Sequence, residues 1–199
     1  ILPGCLGIMG GLIYTLRYFF PRDTRQWFPA LILAVVWGIV AWCYGSQVVG
    51  FISILALFAA IGFSAMMWPG VIAVGFNDKD SVARGTITAF LFTVVHVVSY
   101  MLPFPSWYTT FAPGVAFVGI FVYFLGLLIV SSKQYLRNHG NYLLMQIVTI
   151  VSGVAALYFG STLGSTMLLG IGGTFFYIYI FEKYYEIPWQ GAGWAWSLL

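Results

Sequence analysis

Few side chains in this sequence are equipped for chemistry, and they gather in two apolar stretches and one charged loop. His96 stands inside a long apolar run, with Thr93 three residues before it and Ser99 and Tyr100 three and four residues after it. That spacing puts all four on one face of a helix, and Thr86 extends the polar stripe. A single imidazole at that depth can bridge to a neighbouring helix, line a solute pathway, or ligate a haem or chlorophyll. The other histidine, His139, falls in a loop and cannot act as its partner at the same depth, so no cofactor is expected. Gln146, Thr149, Ser152 and Gly153 form a second stripe at helical spacing, its amide able both to donate and to accept. If the stripes face each other, His96, Thr93, Ser99, Tyr100, Gln146 and Thr149 line a cavity for a neutral solute.

The loop Asn77-Asp78-Lys79-Asp80 offers two carboxylates to a divalent ion, as an enzyme acting on lipid diphosphates would need. The plainer alternative is a solvated turn in which Asp80 or Ser81 caps the following helix. A second acidic motif is missing, and so are a glycine-rich phosphate loop and a His-Glu-x-x-His pair. No catalytic residue is therefore assigned, and the enzyme reading is disfavoured. Cys5 and Cys43 lie in apolar runs without C-x-x-C spacing, which gives no support to a metal or redox centre.

These groups are embedded in a chain of 199 residues that is 61% hydrophobic and only 7% charged, with a mean hydropathy of +0.96. A water-soluble domain carries roughly 25% charged residues; a polytopic all-α membrane bundle explains the difference. The net charge of +3 is too small and scattered for nucleic acid, and basic residues beside apolar spans act as topology determinants.

A spanning helix needs about 20 apolar residues. Dividing the chain at charges and turn residues predicts about seven spans, at roughly 2–20, 27–44, 47–76, 82–103, 112–131, 141–159 and 162–181. The third is long enough that Trp68-Pro69-Gly70 is expected to kink it or end its membrane part. Arg17, Arg22, Arg25, Lys79, Arg84, Lys133, Arg137 and Lys183 then all fall on one side. The positive-inside rule makes that side cytoplasmic and puts residue 1 outside, in a plasma or bacterial inner membrane. Arg17, Arg22, Arg25, Arg84, Lys133 and Arg137 are the expected contacts for lipid headgroups.

The five acidic residues keep to the same side, which leaves the opposite face without a charged side chain. Tight hairpins among the headgroups or a protein partner covering that face would account for it. No carboxylate or lysine lies within the spans, which speaks against a proton pump. The last span, 162–181, has no lysine for a retinal Schiff base.

Shifting the sequence by 115 positions aligns residues 1–46 with 116–161 without gaps, matching Gly4, Gly11, Arg22, Gly38, Gly45 and Ser46 with Gly119, Gly126, Arg137, Gly153, Gly160 and Ser161. Shared apolar composition accounts for part of this match; duplication would account for all of it. An even number of spans per shift makes the repeats parallel, with units 1–103 and 112–199 inside a single transmembrane domain covering 1–199. An eighth helix would begin near Trp194, and the chain would be a fragment of a longer protein. Ser152, Ala156 and Gly160, four residues apart, are expected at a close helix contact.

The functional expectation is a carrier or binding protein for a neutral or lipid-like solute. The alternatives are a noncatalytic membrane subunit that holds partners, and an enzyme acting on lipid headgroups through Asp78 and Asp80.

Overall fold

The computed structural model of the chain describes residues 27–68, 71–132, 135 and 139–186, together with Gly4, Gly7 and Gly11. Apart from those three glycines, the first predicted span lies outside the described residues, as do the basic residues Arg17, Arg22, Arg25, Lys133 and Arg137 and the expected start of an eighth helix. Among the described residues, six helices and one hairpin have defined bounds: α1 (Trp27–Tyr44), α2 (Gln47–Ile61), β1 (Phe63–Trp68), β2 (Val71–Phe76), α3 (Lys79–Met101), α4 (Tyr108–Ser131), α5 (His139–Thr162) and α6 (Thr166–Glu186). Four of them, α1, α3, α4 and the Tyr142–Thr162 part of α5, are long and apolar enough to cross a membrane by length and composition.

The predicted third span, 47–76, is corrected. Its helix stops at Ile61, where Gly62 takes a left-handed φ of +106° and its N–H returns to the Ala59 carbonyl. The chain then forms an antiparallel ribbon in register from Phe63↔Phe76 to Trp68↔Val71. Trp68 and Val71 therefore belong to paired strands, and no helix runs through 63–68 or 71–76 to be kinked. Val71, Ile72, Val74 and Phe76 favour strand, but a continuous apolar run does not distinguish strand from helix. The correction also bears on the repeat, because the shift would superpose 47–76 on 162–191. One stretch breaks into helix and ribbon while the other continues as α6, so that part of the match has no structural counterpart.

The chain divides into two compact units at Gly126/Leu127, within α4. In the first, α1 packs on α2 through Leu33, Trp37, Ala41 and Val49. Ser53 Oγ crosses this contact to donate to the Ala34 carbonyl at 2.8 Å. Of the four long apolar helices α4 is the most enclosed, about two thirds of it buried against about a fifth of α1 and α5. Its glycines explain the close fit: a Cβ on Gly114 would stand 3.0 Å from Phe51 Cα of α2, and one on Gly119 2.9 Å from Phe92 Cβ of α3.

In the second unit α5 and α6 form a helical hairpin closed at Gly164, whose φ is +69°. The small-residue stripe of α5 lies against α6. Cβ atoms on Gly153 and Gly160 would collide with the Phe176 ring and with the Leu169 backbone, and Ala156 is buried. Van der Waals contact at this range is what holds helices together in lipid, where burial of apolar surface gives no driving force.

Candidate functional site

The N-terminus of α3 is where polar chemistry meets open space. A cleft of about 740 Å³ is lined by Trp27, the α2 end Ala59–Ala60–Ile61–Gly62, the loop residues Asn77 and Asp78, and Ser81, Arg84, Ile87 and Thr88 of α3. Backbone geometry fixes it. Asn77 N–H donates to the Gly62 carbonyl at 2.9 Å, so the base of the ribbon closes on itself. Ser81 is buried directly against Gly62; a Cβ on that glycine would lie 2.5 Å from its hydroxyl. The Phe76 ring fills the space above Gly85 and meets Phe63 edge-on at 5.7 Å. α2 therefore ends, and α3 begins, at a fixed separation.

Arg84 and Asp78 carry the charge in this cleft. Arg84 Nε donates to the Asp80 carbonyl one turn back at 3.3 Å, which draws the guanidinium toward the helix start. Asp78 occupies the N-cap position with extended backbone, yet its carboxylate makes no capping hydrogen bond. Among the described residues the ion pairs are those of Lys183, so Arg84 and Asp78 are not joined to each other. Thr88 Oγ1 donates to the Arg84 carbonyl at 2.9 Å. No group of three His, Cys, Asp or Glu side chains able to hold a metal ion is found among the described residues, and Asp80 does not line the cleft.

A second polar cluster closes the second unit. Lys183 Nζ donates to the Ser131 carbonyl at 2.9 Å and pairs with Glu186 Oε2 at 3.0 Å, with Glu182 Oε1 at 3.7 Å. It also lies over the rings of Tyr142 and Tyr179, 5.3 and 5.5 Å from their centres. Tyr142 donates to Glu186 at 2.9 Å. Gln146 Nε2 donates to the same Ser131 carbonyl at 2.6 Å and accepts a short hydrogen bond from Tyr179. Burial pushes the Glu182 carboxyl above the ordinary carboxylate range, Lys183 partly opposing the shift.

The residues singled out in the sequence are thus distributed as follows. His96 is buried in α3 with its ring edge-on to Tyr100 at 5.3 Å, and Tyr100 itself is half exposed. Thr93 and Ser99 donate to the Ala89 and His96 carbonyls at 2.9 and 2.6 Å. Thr149 likewise donates to Met145, at 2.8 Å. His96 and Gln146 belong to different compact units. Sequence reasoning did not find Trp27 as a cleft residue, nor the partners Tyr179 and Ser131 of Gln146, because each pairing joins positions far apart in the chain. Only the charges at Asp78 and Arg84 were visible signals.

No family model, curated protein or solved structure matches this chain.

Proposed function

We propose that this chain is a multi-pass integral membrane protein that binds and carries a lipid-like solute, whose polar end enters the cleft at the start of α3. The observation that carries the reading is the cleft's two-sided lining: Asn77, Asp78, Ser81, Arg84 and Thr88 on one hand, Trp27, Ala59, Ala60, Ile61 and Ile87 on the other. An amphipathic solute needs both, and tryptophan suits the level where headgroups meet hydrocarbon. Arg84 keeps the headgroup role expected of it. His96, Thr93, Gln146 and Thr149 would then hold helices in place rather than contact the solute.

The proposed orientation keeps the charged loops cytoplasmic by the positive-inside rule. With the third span ended at Ile61, the alternation of sides requires α2, 15 residues long, to carry the chain across as a short span, the ribbon then leading on to Lys79 and Arg84 at the same end. The proposed seven-span count adds α2, α6 and the first span, at 2–20, to the four helices long and apolar enough to cross. Native mass spectrometry of the protein in native-lipid nanodiscs tests the reading. A stoichiometric small molecule retained by the wild type and lost on Arg84→Gln is the expected result; equal retention by both would remove the cleft from consideration.

A noncatalytic subunit is the second reading, and the ribbon favours it. Two apolar strands with no third strand beside them among the described residues present open edges of the kind that proteins normally cover. The charge-free outer face adds an apolar groove lined by Val35, Gly38, Ile39, Trp42, Trp107 and Phe111. A partner protein retained in the same spectrum, with no small molecule, would select this reading.

A further inference from the structure

We infer that the cleft at the start of α3 selects a zwitterion in which a primary ammonium and a phosphate lie a few bonds apart, as in ethanolamine phospholipids. The inference rests on the lipid-like reading above and specifies its headgroup. Arg84 and Asp78 line the same cleft, and neither takes part in an ion pair among the described residues.

Each charge has unused capacity. The Nε–H of Arg84 is engaged with Asp80, which leaves the two terminal nitrogens, a pair whose fork matches two oxygens of one phosphate. Asp78 stands at the N-cap without capping, so both of its oxygens can accept from an ammonium. Their positions are six residues apart, about 9 Å along the helix axis, and Arg84 leans back toward the helix start to shorten that span. A ligand carrying a single negative charge would meet Asp78 as a repulsive neighbour, and a ligand carrying a single positive charge would meet Arg84. A ligand carrying both satisfies both.

The remaining lining narrows the choice. Asn77 adds an amide beside Asp78, whereas the buried Ser81 sits against Gly62 and closes the polar end. A trimethylated ammonium has no N–H to give Asp78, so choline headgroups lose the hydrogen bonds that a primary ammonium makes. Glycerol headgroups lack the cation altogether. On the other side Trp27 and Ile87, both exposed, offer apolar surface to glycerol and the first methylenes.

The experiment uses the full chain in nanodiscs made from equal parts of phosphatidylethanolamine, phosphatidylcholine and phosphatidylglycerol. Native mass spectrometry then counts the lipids retained after partial delipidation. The wild type should favour the ethanolamine lipid by about tenfold, the weight of one charge-assisted contact. Asp78→Asn should abolish that preference over choline while lipid is still retained. Arg84→Gln should lower retention of all three, with Arg84→Lys intermediate, which separates a lost phosphate contact from a misfolded protein. Displacement by millimolar soluble phosphoethanolamine identifies the free headgroup as sufficient; displacement only by the intact lipid shows that the acyl part is needed, and either supports the zwitterion. Equal retention of the three lipids with loss on Arg84→Gln would overturn the zwitterion and leave the lipid-like reading standing. Retention unaffected by Arg84→Gln would overturn both.

Discussion

The Lys183 ammonium donates to the Ser131 carbonyl at 2.9 Å, so the last turn of α6 caps the C-terminal end of α4. Helix ends leave carbonyls without intrahelical partners, and a cation there also meets the negative end of the helix dipole. Gln146 donates to the same oxygen at 2.6 Å, which saturates both of its lone pairs.

Lys183→Met should therefore cost more than an exposed ion pair would. It removes the donor to Ser131 and leaves Glu182 and Glu186 as neighbouring carboxylates without a cation. About 1–3 kcal/mol is expected from the unsatisfied partners. Thermal unfolding in detergent should show a lower midpoint for Lys183→Met and a smaller loss for Lys183→Arg. An unchanged midpoint would mean that the cluster does not hold the unit together.

The Glu182 carboxyl, raised by burial from its ordinary 4.5, gives the second unit a pH dependence of definite sign. A raised carboxyl favours the folded state in its protonated form. That contribution is complete below about pH 4.5 and is lost as pH rises through the folded value. At neutral pH, Glu182→Gln should then unfold slightly above the wild type, by on the order of 1 °C because the group remains partly wetted. The difference should vanish in acid. A Gln variant less stable at pH 7 would contradict the assignment.

Gly160 and Gly170 make a matched pair of tests for the α5–α6 contact. A Cβ on Gly160 would stand 2.8 Å from the Leu169 backbone nitrogen, which cannot swing aside, while one on Gly170 meets nothing within 4 Å. Gly160→Ala should cost about 1–3 kcal/mol through overpacking. Gly170→Ala should be neutral or mildly stabilising, since alanine is the better helix former. Equal melting curves for the two would rule out the close approach.

Gly62→Ala should damage the cleft and the fold at once. Its φ of +106° is costly for alanine, and the new methyl would press on Ser81. Strain of this kind costs about 1–3 kcal/mol. Ser81→Gly in the same chain should relieve the collision but not the backbone strain, so circular dichroism melts should recover only in part. Full recovery would show that the backbone conformation is not required.

Cys43 and a Lys79→Cys variant report orientation. Cys43 is exposed at the end of α1, and the proposed topology puts it on the outer side, opposite Lys79. A membrane-impermeant maleimide added to intact cells should label Cys43 in a Cys5→Ser chain and leave Lys79→Cys, with Cys5 and Cys43 both changed to Ser, unlabelled until lysis. The reverse pattern would invert the topology.

The helices were legible because charge and turn residues punctuate an otherwise apolar chain. Trp27–Tyr44 covers the predicted 27–44, and the turn at Gly45 follows its end. The ribbon was not legible, because Ser64 is the one polar side chain in 63–76, too few to reveal alternation. The candidate site was visible only in part. Asp78 and Arg84 stood out by charge, but their neighbours Trp27 and Ala59 are ordinary apolar residues until the fold brings them to one cleft. His96 and Gln146 drew attention for the same reason, being polar in apolar surroundings. Neighbouring hydrogen bonds that sequence spacing could not reveal account for Gln146.

The cap on α4 also fixes an order of events during biosynthesis. The donors to Ser131 arrive 15 and 52 residues after it in the chain. At about 5–20 residues per second, the carbonyl end of α4 is synthesised roughly 3–10 s before Lys183 exists. Gln146 can reach the Ser131 oxygen sooner, but until Lys183 arrives the second lone pair of that oxygen must be solvated by water, lipid headgroups or the insertion machinery. Completion of α6 is thus the step that releases the nascent chain from that help, and truncations that stop short of Lys183 should linger on it.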